Sequence, residues 1–199
     1  MYKLTAMKKT LQLLLLIVLC TTIDALAVEN YLNTPNTLNF DNTEFTLGWS
    51  SHPREIQYLQ EYFPKGQSPE NFKDMLSVWV FVGDFPAKQY IQNMANNYEE
   101  RKKTDKSCNY QIYENDGEYM FDCLLSEDDG KFVNAVEFNI YRCKNTSIDG
   151  KQVLLICFYS QQAKGDDIMP FLTDLKELRG RLILAMAKFE YPQIKLSPR

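Results

Sequence analysis

The sequence is poor in the residues that most hydrolytic and metal-dependent enzymes rely on. It contains one histidine, His52, in 199 residues. A Ser-His-Asp or Cys-His centre would have to use that residue, and a catalytic metal held by several histidines is excluded. His52 stands before Pro53, which is expected to break a strand, so it reads as a surface turn residue. No Cys-x-x-Cys occurs, and the spacings between Cys108, Cys123, Cys143 and Cys157 fit no structural zinc site. Pro64-Lys65-Gly66-Gln67 lacks the second glycine and the Gly-Lys-Ser/Thr order of a phosphate loop. Glu127-Asp128-Asp129-Gly130 and Asp166-Asp167 lack the alternating oxygen ligands of a calcium loop, and read as a solvated turn and a helix cap. No metal or cofactor is expected. Basic clusters are missing too: residues 28–199 carry 19 basic and 25 acidic side chains. That balance argues against nucleic acid and against anionic membrane surfaces as partners. No internal repeat or low-complexity linker interrupts the chain.

The N-terminus has a pattern of its own. Met7-Lys8-Lys9-Thr10 is followed by an apolar run from Leu11 to Ile23 and then by Ala25-Leu26-Ala27. This basic, apolar, small-x-small order is that of a secretory signal peptide cut after Ala27. The run is shorter than the roughly 20 residues a spanning helix needs. Cys20 follows the bulky Leu19 and is read as part of the leader. Residues 28–199 are then expected to form a single exported domain, periplasmic or secreted, with no membrane insertion after cleavage.

Export places Cys108, Cys123, Cys143 and Cys157 in an oxidising compartment. Cys108 and Cys123 flank Asn115-Asp116-Gly117 almost symmetrically, and Cys143 and Cys157 flank the next loop in the same way. The expected disulfides are Cys108–Cys123 and Cys143–Cys157. A register slip of one residue would undo either pair.

Those cysteines lie in the stretch around which the chain is organised, from Cys108 to Ser160, which reads as four consecutive strands. Cys108–Glu114 is rich in β-formers and ends at the Asn115-Asp116-Gly117 hairpin signal. Glu118–Leu125 returns, and Phe132–Arg142 alternates, with Phe132, Val136, Phe138 and Ile140 on one side and Glu137, Asn139 and Tyr141 on the other. Val153–Tyr159 is apolar on both faces and belongs in the centre of a sheet. Leu76–Val82 has the same character. Glu44–Trp49 and Arg54–Phe63 read as further strands. Ser68-Pro69-Glu70 opens a short helix to about Met75. Asp84–Lys103 and a C-terminal segment capped by Asp166 or Asp167 carry helical apolar stripes. The fold class is α+β: a mainly antiparallel sheet with a four-strand meander, covered by two long helices.

This element order resembles the Mog1/PsbP-type α/β/α sandwich, whose members include small non-catalytic accessory proteins. Glu61-Tyr62, Pro64-x-Gly66 and Phe72-x-x-Met75 before a Val-rich strand resemble a pattern in uncharacterised bacterial exported proteins. Neither resemblance implies a catalytic residue.

Two function classes follow. One is an exported non-catalytic binding or accessory protein, such as an inhibitor or immunity-type partner of another protein. The other is a small secreted hydrolase with a carboxylate pair, which leaves no sequence signature. A deep cleft of acids with perturbed ionisation would mark the hydrolase, and a shallow aromatic patch the binding protein. The tyrosines Tyr110, Tyr113, Tyr119, Tyr141 and Tyr159 crowd the meander and could supply such a patch. The loop from Pro64 to Phe72 offers Lys65, Gln67 and Asn71 as candidate binding residues between Phe63 and Phe72. The competing reading makes it an ordinary connection with both phenylalanines in the core.

Overall fold

The computed structural model describes residues 28–198, so the leader and Cys20 lie outside the described residues. One antiparallel sheet carries the fold: β1 (Thr37–Phe40), β2 (Thr43–Arg54), β3 (Gln57–Pro64), β4 (Asp74–Val82), β5 (Asn109–Asn115), β6 (Glu118–Asp128), β7 (Val133–Ile148) and β8 (Lys151–Lys164). Among the described residues two α-helices complete it, α1 (Ala87–Arg101) between β4 and β5 and α2 (Ile168–Lys188) after β8, the latter entered by a 3-10 turn at Gly165–Asp167. The spatial order is β1-β2-β3-β4-β8-β7-β6-β5. The α+β class and the antiparallel sheet are as expected. The two strands without polar alternation, β4 and β8, pair with each other in the middle, because only central positions cover both faces of a strand. Asp116-Gly117 and Asp149-Gly150 adopt positive φ at both residues, the conformation that two-residue hairpin loops require.

Three local expectations are corrected. The segment opening at Ser68-Pro69-Glu70 is not a helix; it is a turn, and β4 begins at Asp74. Met75 is buried in the sheet opposite Ser160, so tertiary packing overrides the local capping signal. Strand β2 runs through His52-Pro53 to Arg54 with an irregular register after Ser51. His52 is buried rather than exposed: its ring stacks on Tyr58 at 3.9 Å, and its Nδ1 lies 2.9 Å from the Gln57 carbonyl. Phe132, expected to point inward with Val136, precedes β7 and is 73% exposed.

The disulfides are corrected as well. All four described cysteines are free and buried. Tyr110, not Cys108, stands opposite Cys123, and a diagonal offset of two residues leaves about 7–8 Å between the strands, beyond disulfide reach. Arg142 stands opposite Cys157, and Ile156 opposite Cys143. That single-residue offset sends the two thiols to opposite faces of the sheet. Accordingly, Cys157 belongs to the core under α2 and Cys143 to the core under α1.

The faces are covered differently. Beneath α2, Leu175, Leu182 and Met186 bury against Tyr62, Leu76, Val78 and Val80. Where α2 ends, the chain termini continue the cover. Lys195 and Ser197 donate backbone hydrogen bonds to Leu32 and Tyr31, and the Tyr58 hydroxyl donates to the Ser197 carbonyl at 3.1 Å. On the opposite face α1 packs most closely over β6, β5 and β7, burying Ala87 and Ile91 in a core with Phe121, Cys123 and Cys143, and near its start Gln89 and Tyr90 border a hollow with Leu154 of β8 and Phe81 of β4. Asn145 of β7 fixes its start: Oδ1 accepts from the Ala87 N–H at 2.8 Å, and Nδ2 donates to the Phe85 carbonyl at 2.9 Å. The same face of β2, β3 and β4 has no comparable packing against a helix.

Candidate functional site

The loop between β3 and β4 holds itself together with its own polar groups. The Gln67 side-chain carbonyl accepts from the backbone of Lys73 and Asp74. Asn71 Oδ1 accepts from the Ser68 N–H at 2.9 Å and from its hydroxyl at 3.0 Å. Phe63 is buried and Phe72 packs on it with ring centroids 5.9 Å apart. Gln67 and Asn71 are thus spent on loop closure, and the two phenylalanines on the core. Of the three candidates Lys65 and Asn71 are exposed, and Lys65 stands in no ion pair among the described residues.

The uncovered face of β2, β3 and β4 has a different character. Register places Trp49 opposite Glu61, Glu61 opposite Ser77, and Leu59 opposite Trp79; residues directly opposite in an antiparallel pair share a face. Phe81 continues the row two positions beyond Trp79. Trp49 is 37% exposed, and Leu59, Glu61, Trp79 and Phe81 are only half-buried. Neighbours in the same strands that point to the α2 side, Tyr62, Val78 and Val80, are fully buried. Both tryptophans of the protein therefore stand on this open face. Trp79 leans on Phe158, centroids 5.4 Å apart, and Phe158 stacks on Tyr141 at 4.4 Å, so the array is continuous with the core under α1. At the other end, Phe81, Phe85, Tyr90 and Leu154 line an apolar hollow of about 270 Å³, with Gln89 and Asn93 also on its wall.

Polar groups on this face lack partners. The Ser77 hydroxyl and the Trp79 indole N–H are buried and make no hydrogen bond among the described residues. Burial pushes the Glu61 carboxyl above its ordinary pKa, and among the described residues no lysine or arginine pairs with it.

The remaining concavities are polar or small. One of about 700 Å³ lies between edge strand β1 and α2 and contains the Asp41–Arg181 ion pair at 3.1 Å. A hollow of about 290 Å³ contains Asp122, buried and held in two-point contact by Arg179 at 2.7 and 3.0 Å. Glu127 and Glu137 line a cavity of about 160 Å³ with Arg101 and Lys164, and Glu137 accepts from the Ser160 hydroxyl at 2.9 Å. It is the place where a carboxylate pair could act, but its volume falls below the ~300 Å³ at which ligand pockets usually begin. The thiols offer no nucleophile. Burial pushes Cys123, Cys143 and Cys157 up to about 12, far from the thiolate range that reactivity needs. Among the described residues no group of three His, Cys, Asp or Glu side chains is placed to hold a metal ion.

Trp49, Glu61 and Trp79 escape a sequence-level site search because they sit on three strands, within ordinary β patterns. Alternation assigns Leu59 and Glu61 to the same face of β3, but only the register brings Trp49 and Trp79 beside them. A protein-family model matches residues 32–191 of the chain, and that family is an uncharacterised one. No curated protein matches it.

Proposed function

The chain belongs to that uncharacterised family, and we propose that it works by binding a protein partner through the open face of β2, β3 and β4. On this reading it is an exported, non-catalytic accessory protein of inhibitor or immunity type. The observation that carries the reading is the row Trp49, Leu59, Trp79 and Phe81, left half-covered or exposed on a sheet face with little helix packing. Tryptophan and tyrosine dominate binding hot spots because they bring large apolar area at low conformational cost, and contiguous apolar exposure of this kind marks interaction surfaces. Export rests on the residue pattern from Met7 to Ala27. The β5–β8 meander with its two long helices fits an α/β/α sandwich of the Mog1/PsbP type, a likeness of element order that is in keeping with an accessory role.

Capture from native extract by immobilised protein, followed by purification of the captured protein and titration, tests the binding reading. Wild-type protein is expected to bind it saturably. The Trp49→Ala/Trp79→Ala double variant should bind at least about tenfold more weakly, a loss of ~1.4 kcal/mol, with its circular dichroism unchanged. Lys65→Ala/Gln67→Ala should bind as wild type; loss there alone would move the site to the β3–β4 loop. Turnover of a substrate, abolished by Glu127→Gln or Glu137→Gln, would establish the hydrolase instead. Intact mass of protein recovered from periplasm or medium tests export: the chain should begin at Val28, and retention of residues 1–27 contradicts it.

A further inference from the structure

Acids that this fold draws away from water are matched one by one. Asp105 pairs with Arg101, Glu118 with Arg142 and Lys144, Asp122 with Arg179, and Asp41 with Arg181. Asp74 accepts from the Tyr159 hydroxyl at 2.7 Å, and Glu137 from Ser160. Glu61 is the exception: half-buried, it has no ion pair and no side-chain hydrogen bond among the described residues. A carboxylate withdrawn from water without a partner is costly, so its place on the binding face is informative.

Resting on the binding reading above, we propose that Glu61 with Trp49 and Trp79 forms a recognition site for an arginine side chain on a basic segment of the partner protein. Trp49 lies directly across from Glu61, and Trp79 lies diagonally across on the other side. That register sets one negative charge between two indole side chains, the aromatic type that best attracts a cation. A guanidinium is planar, stacks on indole and offers paired N–H donors to a carboxylate, whereas an ammonium is compact and more strongly hydrated. Arginine therefore suits the site better than lysine. The net charge of −4 favours the approach of a basic partner. Docking would give Glu61 the counter-ion that every other withdrawn acid finds within the fold or replaces with a hydroxyl donor.

Because both tryptophans stand on this face, intrinsic fluorescence reports on the site directly. The probes are a blocked Gly-Gly-Arg-Gly-Arg-Gly-Gly peptide, the same peptide with lysine, the same peptide with glutamine, and free arginine amide. The arginine peptide should change the emission saturably, the lysine peptide should bind several-fold more weakly, and the glutamine peptide and free arginine amide should give no saturable change. Glu61→Gln and Trp49→Ala should each weaken the arginine peptide at least about tenfold. Glu55→Gln, the removal of an exposed acid, should leave its affinity unchanged. Equal binding by Glu61→Gln, equal weakening by Glu55→Gln, or no saturable change with the arginine peptide would overturn the inference. Free arginine amide binding as tightly as the peptide would point to a small cation and overturn the protein-segment assignment. If the captured partner is lost by Trp49→Ala/Trp79→Ala but not by Glu61→Gln, the face still binds and only the arginine chemistry is wrong.

Discussion

The two faces of the sheet answer the same problem in opposite ways. Under α2, the helix, the N-terminal segment and the C-terminal tail together close the face, leaving Tyr62, Leu76, Val78 and Val80 without solvent contact. Under α1 the close packing thins out beyond β7 and β8, and β2, β3 and β4 present Trp49, Leu59, Trp79 and Phe81 half-covered. Unpartnered buried polar atoms occur on both sides, at His52 and Tyr191 on the closed one and at Ser77 and Trp79 on the other. On the closed side Arg142 of β7 donates to the last carbonyls of α2, at Met186 and Phe189, while pairing with Glu118. On the open side the Glu61 carboxyl has no ion pair among the described residues. The closed face thus bears stability, while the half-covered aromatic side chains of β2, β3 and β4 mark the other as the interaction face we propose.

Substitutions should separate the two. Tyr62→Ala, at a fully buried position on the closed face, should cost about 3–5 kcal/mol and lower Tm by roughly 10 °C. Thermal melts followed by circular dichroism check it, and a shift below ~2 °C would break the distinction between the faces. Asp105 comes next. It accepts from the Ser126 N–H and hydroxyl at 2.8 and 2.7 Å and from the Ser107 N–H at 2.9 Å, and it anchors the end of α1 to β6. Asp105→Ala should cost about 2–3 kcal/mol by stranding these donors.

The pH dependence of that anchor has a definite sign. Burial acts to raise the Asp105 pKa, but the donors from Ser126, Arg101 and Ser107 outweigh it and hold the value below the ordinary one. A depressed carboxylate stabilises the fold above its unfolded pKa of about 3.9 and loses that contribution as pH falls through the folded value. Wild-type protein should therefore lose stability on acidification below about pH 4, and Asp105→Ala should lose less over the same range. Denaturant melts at several pH values measure the difference.

Smaller effects belong to the open face. Trp49→Ala should cost only about 1 kcal/mol, since much of the ring is already in water. Glu61→Gln should be stabilising at neutral pH. Its folded pKa is raised by burial, so ionisation opposes folding as pH rises past the unfolded value of about 4.3. The gain should vanish in acid, where both states are protonated. A Glu61→Gln variant less stable than wild type at pH 7 would show that the carboxylate has an internal partner after all. The thiols provide a further contrast: Cys123, Cys143 and Cys157 should react slowly with a thiol reagent in native protein and fully on denaturation.

Much of the architecture was legible in the sequence because its signals were redundant. Leu76–Val82 and Val153–Tyr159, with no polar alternation, could only be central, and Asp116-Gly117 and Asp149-Gly150 set their hairpins by backbone conformation. Local signals without tertiary support misled. Ser68-Pro69-Glu70 looks like a helix start, yet pairing of Met75 in β4 captures the chain first. The disulfide expectation failed on a register that differs by one residue at Cys143 and by two at Cys108. The face bearing Trp49, Glu61 and Trp79 was illegible for a related reason: it is assembled from three strands, and no local pattern encodes which helix fails to cover them.

The most direct test of the open face as the docking surface is site-specific photo-crosslinking in native extract. A photoreactive residue would replace Trp49 on the open face, Lys65 in the β3–β4 loop, or the exposed Leu184 beside the β1–α2 groove. A discrete adduct from position 49 and none from positions 65 and 184 is the predicted result. An adduct from position 65 or 184, with none from position 49, would contradict it.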